Sequence, residues 1–258
     1  MLFAAAATEA RADVACLSQH QGDSEACPSD AREAPVFNVE KTVHFIRHGL
    51  AQHNVGSAGC YDFEVYDARL VDVGAGQAMS LGGELSKAGV HADAIITSPL
   101  WRTLQTTSFL LKHGWGDDRS SPDVFVMEDA REHFTACTDN ARGTTSRAAA
   151  AFPGFHFDPL ASNRDPMLVG GEGIGQYESS DDLHERAARF LNALRNRAES
   201  NIIVVSHGTF IGAALVQAEQ MGWARVSIPR LSEHVIAQPG QFFGNCQVAS
   251  VELRSSSE

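Results

Sequence analysis

Thr42-Val43-His44-Phe45-Ile46-Arg47-His48-Gly49 is the stretch whose reading decides the fold. Five residues rich in β-branched and aromatic side chains stop abruptly at two cationic-type side chains and a glycine. The same figure returns twice: Ala94-Ile95-Ile96-Thr97 stops at Ser98-Pro99, and Ile202-Ile203-Val204-Val205-Ser206 stops at His207-Gly208. A strand with one wet face would alternate apolar and polar residues. Near-continuous apolar runs mark strands buried on both faces, hence a largely parallel sheet.

Helical patterns lie between these runs. Ser98 suits an N-cap and Pro99 a first helical position, with Leu100, Leu104, Thr107 and Leu111 on one stripe. Ser179 with Asp182 forms a capping-box pattern, followed by an apolar face of Leu183, Ala187, Phe190, Leu191 and Leu194. Further strands are expected over 124–127 and 248–253. The fold expected is an α/β three-layer sandwich, with a mostly parallel central sheet and helices on both faces. In such sheets ligands sit beyond the carboxyl ends of the strands, and His48, Arg102 and His207 all follow one.

Residues 1–38 mix Ala, Ser, Asp, Glu and Pro without a period, and read as a tail with a short helix around residues 8–17. The catalytic domain is expected over 39–258, with a loop-rich cover around 133–178, where Pro and Gly replace periodicity. The glycines at 171, 173 and 175 miss the G-x-G-x-x-G spacing and read as flexible loop.

The chain of 258 residues is 43% hydrophobic and 20% charged, ordinary for a domain with a real core, and its net charge is −12. That balance speaks against nucleic-acid and anionic-membrane partners, and an anionic substrate would need a locally positive pocket. Five scattered cysteines without a CxxC pair do not read as a disulfide scaffold or a zinc module, and point to a reducing, cytoplasmic compartment. No apolar run approaches the roughly 18 residues of a bilayer span. An organellar address in the N-terminal segment stays open.

The chemistry sits at the strand ends. Arg47 puts a forked, permanently charged donor beside His48, as a phosphate dianion requires. Gly49 is read as allowing backbone to approach a ligand, Asn54 offers a side-chain amide, and Arg102 lies in a helix first turn. No cysteine is followed by five residues and Arg, no G-x-x-x-x-G-K-[ST] loop exists, and no ligand cluster marks a metal. Neither a metal nor another cofactor is expected.

Arg47-His48-Gly49 with Asn54, Ser98-Pro99-Leu100 with Arg102-Thr103 and Gln105-Thr106, and Ser206-His207-Gly208 together resemble the histidine phosphatase superfamily, the phosphoglycerate-mutase-like group. Asp67, Leu70, Gly74, Gln77 and Ala78, and later Glu178, Ser179 and Arg186, extend the resemblance over roughly 44–210. It implies a phosphoglycerate-mutase-like fold and hydrolysis of a phosphomonoester through a phosphohistidine on His48. It further implies that Arg47, Asn54, Arg102 and His207 hold the phosphoryl oxygens, with His207 also catalytic and protonated against its anionic ligand. Glu132, after the expected third strand, is the implied proton donor to the leaving group. His53 and Arg142 are weaker substrate-contact candidates, Arg142 having pairing with Asp139 as its structural alternative. The substrate implied is a small phosphorylated metabolite or a phosphoprotein.

The chain departs from the family pattern in having Leu50 and Ala51 after the R-H-G triplet, Ala130 before Arg131, and Val71. Ala51 and His53 stand where mutases of the group typically carry Ser and Trp. Two alternatives stay open: a phosphoglycerate-type phosphomutase, and a phosphate-binding interaction module without catalysis.

Overall fold

Buried apolar runs that neither alternate nor curl leave the chain one good option, a sheet covered on both sides. The computed structural model describes residues 37–55, 65–116, 121–135, 137–157, 162–167, 177–238 and 243–256, all within one compact unit, Val36–Glu258. It builds seven strands: β1 (Phe37–Arg47), β2 (Ala94–Thr97), β3 (Asp123–Val126), β4 (Phe155–His156), β5 (Asn201–Ser206), β6 (Ala224–Val226) and β7 (Val248–Ser256). They form one sheet in the order β4-β3-β2-β5-β1-β7-β6. The first five run parallel, while β7 pairs antiparallel with β1 and with β6.

Among the described residues five α-helices accompany it: α1 (Asp72–Lys87), α2 (Trp101–Gly114), α3 (Thr145–Ala151), α4 (Ser180–Arg195) and α5 (Gly208–Gln220). Side chains alternate across each strand, so β5 divides its apolar run between two cores. Ile202 and Val204 pack with Leu183, Phe190, Leu194 and Phe210 of α4 and α5. Ile203 and Val205 pack with Ala78, Leu81, Leu85 and Leu110 of α1 and α2. All four β5 residues are fully buried, which is why no polar residue interrupts the run.

The α/β three-layer sandwich expected from the sequence is the fold observed, with several local differences. β1 reaches back to Phe37 because its first residues pair with the far end of β7, Phe37 opposite Ser256. The remainder of the segment read as a tail, its short helix and the 171–175 glycines lie outside the described residues. α2 begins at Trp101 rather than Pro99: Ser98 Oγ does accept from Leu100 N at 3.3 Å, but the N–H of Trp101 is taken by Asp67 Oδ1 at 2.8 Å. α4 begins with the expected capping box between Ser179 and Asp182. The 133–178 segment contains α3 and β4, so its described part is not wholly irregular. Cys137 is disulfide-bonded, while Cys246 is a free, buried thiol. Among the described residues no helix is long and apolar enough to cross a membrane.

Candidate active site

The strand order β3-β2-β5-β1 sets four carboxyl ends side by side, and each end delivers one part of the site. His48 follows β1, Ser98 and the first turn of α2 follow β2, Glu132 follows β3, and His207 follows β5. His48 and His207 lie with ring centroids 5.2 Å apart, and the His53 ring lies 5.4 Å from that of His48. His48, Arg102 and His207 are at most 1% exposed and Arg47 9%.

The His48 ring is fixed by Nδ1, 2.7 Å from the carbonyl of Gly49. A carbonyl can only accept, so Nδ1 carries the proton and Nε2 keeps its lone pair. Burial first, then Arg102, Arg47 and His53, hold the His48 pKa well below its ordinary 6.5. The ring is therefore neutral at physiological pH, the form a nucleophile needs.

His207 is the N-cap residue of α5, and its Nε2 lies 2.8 Å from Ser98 Oγ. Its Nδ1 is buried and has no hydrogen-bond partner among the described residues, as are Arg102 Nε and His53 Nδ1. Buried polar atoms left unmatched are costly, and several in one place mark a site completed by a ligand. Burial, followed by Arg102, His48, His53 and Arg47, also holds His207 well below 6.5. Desolvation and two guanidinium groups thus favour the neutral imidazole, whereas the protonated His207 implied by the resemblance is tied to an anionic ligand. His53 is lowered to about 3 for the same reasons, burial first, then Arg102 and Arg47.

The two arginines are held from behind. Arg47 Nη1 donates to the Phe243 carbonyl at 2.6 Å. Arg102 Nη1 donates to the Asp139 carbonyl and Nη2 to Asn140 Oδ1, both at 2.7 Å. Burial lowers Arg102 to about 10, which leaves it cationic at neutral pH. Oriented guanidinium groups in a dry site are a standing positive field that needs no reorganisation when an anion arrives.

Glu132 sits at the free N-terminus of α5. Its Oε1 accepts from Phe210 N at 3.1 Å and from His133 N at 2.9 Å, and Oε2 from Thr209 N at 3.4 Å. Thr209 N and Phe210 N are donors that the start of α5 leaves without partners within the helix. The segment bearing Glu132 is clamped by Arg186, which donates to the carbonyls of Asp129, Arg131 and Glu132 and pairs with both oxygens of Glu178, at 2.7 and 2.8 Å. Burial works against the Glu178 charge, but the Arg186 hydrogen bonds prevail and lower its pKa.

Asn54 adjoins the cluster with its amide oxygen already engaged, accepting from Ala51 N at 3.2 Å and Asn245 Nδ2 at 3.4 Å. Arg142 does not join it. All five of its N–H donors are taken: Nε by the Glu128 carboxylate, and Nη1 and Nη2 by Thr145 Oγ1 and the carbonyls of Gly143, Asn163, Ser162 and Arg164. It braces the cover segment, through Glu128 rather than Asp139. Gly49 is likewise explained by packing, because a Cβ there would meet the Gly74 carbonyl oxygen at 2.4 Å.

Several motif residues serve as scaffolding for the loop after β1. Thr106 Oγ1 accepts from Gly49 N, Gln77 Oε1 from Leu50 N, and Gln105 Oε1 from Leu70 N. Sequence reasoning missed Phe243 and Asn245; Asn245 Nδ2 donates to the His48 carbonyl at 3.0 Å. The turn that presents them contains Cys246 in a left-handed conformation (φ 56°), and no local periodicity announces it. Among the described residues no group of three or more His, Cys, Asp or Glu side chains is arranged to hold a metal.

A buried, neutral histidine flanked by two anchored arginines and a second histidine, at the carboxyl rim of a parallel sheet, is an arrangement suited to receive an anion such as a phosphate group. The model of the histidine phosphatase superfamily (branch 1) matches residues 43–237, and the chain belongs to that family. The phosphoglycerate mutase-like protein 1 of Arabidopsis thaliana is 27% identical over 199 residues, covering 66% of this chain and 69% of that protein. A probable phosphatase of Schizosaccharomyces pombe is 28% identical over 177 residues, covering 67% and 76%. Among solved structures, the ecdysone phosphate phosphatase of Bombix mori, in complex with tungstate, matches with a TM-score of 0.57 and 16% identity over 84% of this chain and 92% of that one. That likeness establishes a shared fold.

Proposed function

We propose that the protein is a phosphomonoester phosphatase whose nucleophile is Nε2 of His48. The observation that carries the reading is the neutral His48 ring, tied through Nδ1 to Gly49 and set among Arg47, Arg102 and His207, with Arg102 Nε and His207 Nδ1 buried and without a hydrogen-bond partner among the described residues.

The Nε2 lone pair attacks phosphorus as the bond to the leaving oxygen breaks, and Glu132 supplies that oxygen with a proton. Arg47, Arg102 and His207 hold the non-bridging oxygens, assisted by the Asn54 amide. Water then attacks the phosphohistidine, gives its proton to the Glu132 carboxylate, and the P–N bond breaks to restore neutral His48. The positive charge the reaction needs comes from the arginines, so no metal enters any step. His53 shapes the cradle beside His48, and the substrate is a small phosphorylated molecule.

The test is phosphate release from a panel of phosphomonoesters with chelator present, comparing native protein with His48→Ala. Release that disappears in the variant, together with an acid-labile, base-stable phosphoenzyme in the native protein, supports the reading. Release that survives the substitution sinks it. The relatives named as phosphoglycerate mutase-like favour one second reading, a mutase. That reading requires turnover to depend on priming by a bisphosphorylated substrate.

A further inference from the structure

Ser98 follows β2, is fully buried, and has its backbone pinned on both sides. Its N–H donates to the Val205 carbonyl at 3.1 Å, and its own carbonyl accepts from Thr103 Oγ1 at 2.9 Å. Val205 stands two residues before His207, so the ladder between β2 and β5 brings serine and histidine to the same part of the rim. There Ser98 Oγ and His207 Nε2 lie 2.8 Å apart.

A hydroxyl has one proton to give and lone pairs with which to receive. The Ser98 oxygen receives the N–H of Leu100 at 3.3 Å, the intervening Pro99 having none to offer. Its proton has one acceptor among the described residues, Nε2 of His207. A neutral imidazole whose Nε2 accepts must carry its own proton on Nδ1. The opposite tautomer would leave both the hydroxyl proton and Nδ1 unmatched, two buried groups in place of one.

Nδ1 of His207 is buried without a partner among the described residues, and so is Arg102 Nε. With the proton on Nδ1 both atoms are donors, and an arriving anion can satisfy both. A bare Nδ1 would instead set a lone pair against the anion. Burial, and after it Arg102, His48, His53 and Arg47, oppose a positive charge on the ring. Which nitrogen holds the single proton of the neutral ring therefore decides whether His207 attracts a phosphoryl oxygen or repels it.

We propose that Ser98 is a positioning residue for phosphoryl transfer: its hydroxyl, donating to Nε2, fixes neutral His207 as the Nδ1–H tautomer that faces the phosphate cradle. His207 is then a hydrogen-bond donor before it takes up any further proton. The inference rests on the phosphatase reading and deepens it, giving the serine before Pro99 a part in the site although it touches no reacting atom.

The experiment is nitrogen-15 NMR of protein labelled in its histidines, at pH 8 without ligand, with His207→Gln identifying the signals of that ring. In the native protein Nδ1 should show the shift of a protonated ring nitrogen and Nε2 that of a bare one. Ser98→Ala should shrink that separation as the other tautomer becomes populated. The same variant should bind tungstate, a dianion at this pH, about three- to tenfold more weakly, the worth of one hydrogen bond. A serine that served packing alone would lower the unfolding midpoint and leave the tautomer as it was. Protonation of Nε2 rather than Nδ1 in the native protein, or an unchanged tautomer in folded Ser98→Ala, overturns the proposal. The native spectrum carries the test even where the variant fails to fold. The expected tautomer with no phosphate released from any ester would instead overturn the phosphatase reading and leave the role of Ser98 standing.

Discussion

Gly49 and Gly74 meet backbone to backbone: a Cβ on Gly49 would lie 2.4 Å from the Gly74 carbonyl oxygen, and one on Gly74 2.0 Å from the Leu50 carbonyl oxygen. Main chain cannot step aside as a side-chain tip can. Gly74→Ala in the first turn of α1 should therefore cost about 2–4 kcal/mol, despite alanine's better helix propensity. Denaturant unfolding measures it, and a neutral or stabilising result would show that α1 can slide away from the nucleophile loop.

Gly212 is the contrasting case. With open space around its missing side chain, Gly212→Ala should stabilise by roughly 0.5–1 kcal/mol. The same unfolding experiment reads both signs.

Acid should destabilise the empty protein well before its carboxylates titrate. Burial lowers His44 to about 4, with Glu252 opposing, and burial lowers His53 to about 3; His48 and His207 are also depressed. Below pH 6.5 the unfolded chain takes up protons that the folded one refuses. Stability is then present above about 6.5 and lost as pH falls toward 4, His44 alone accounting for up to about 3 kcal/mol. Unfolding midpoints that stay flat from pH 7 to 5 would contradict this.

Anion binding should reverse that refusal. A dianion beside His207 replaces desolvation and repulsion by attraction, raises the histidine's pKa and draws in a proton. Vanadate or phosphate binding near pH 6.5 should take up protons, seen as a binding enthalpy that depends on the ionisation heat of the buffer. Affinity should weaken as pH rises. Binding without proton exchange would mean that His207 stays neutral in the complex.

Glu132→Gln keeps the hydrogen-bonding shape at the start of α5 but cannot deliver a proton. Turnover of alkyl phosphates should fall about 10²–10⁴-fold, while formation of the phosphoenzyme from an ester with an acidic phenol leaving group should change far less. An equal loss for both leaving groups would assign Glu132 to positioning.

Arg186→Met leaves the Glu178 carboxylate buried without its partner and frees three carbonyls of the Glu132 segment. A loss of about 3–5 kcal/mol is expected, and the double substitution with Glu178→Leu should recover part of it.

The strand ends were legible because chemistry and burial coincide there. An apolar run that stops at Arg47-His48 or at His207 states both where the sheet ends and what stands on its rim. Ser98 shows the limit of local reading. Its place before Pro99 looks like a helix cap, yet its hydroxyl lies against His207, 109 residues away. Arg142 shows another limit, since spacing cannot tell a ligand-binding guanidinium from one whose donors are all consumed by a cover segment. α5 displays no stripe because Phe210, Ile211, Ala213, Ala214 and Leu215 are all buried, so its period is masked by apolar residues on most sides. Phe243 and Asn245 act through a carbonyl and a turn geometry, which side-chain patterns do not encode.

The anchoring of Arg47 by Phe243 and of the His48 carbonyl by Asn245 joins positions 196 and 197 residues apart. The phosphate cradle and the turn before β7 are therefore one cooperative unit, although they lie far apart along the chain. A ligand in the cradle stabilises whatever the cradle requires. Occupancy of the site should thus be readable at a distance in sequence, as slower hydrogen exchange across 243–256, and loosening of that turn and strand should release the bound anion.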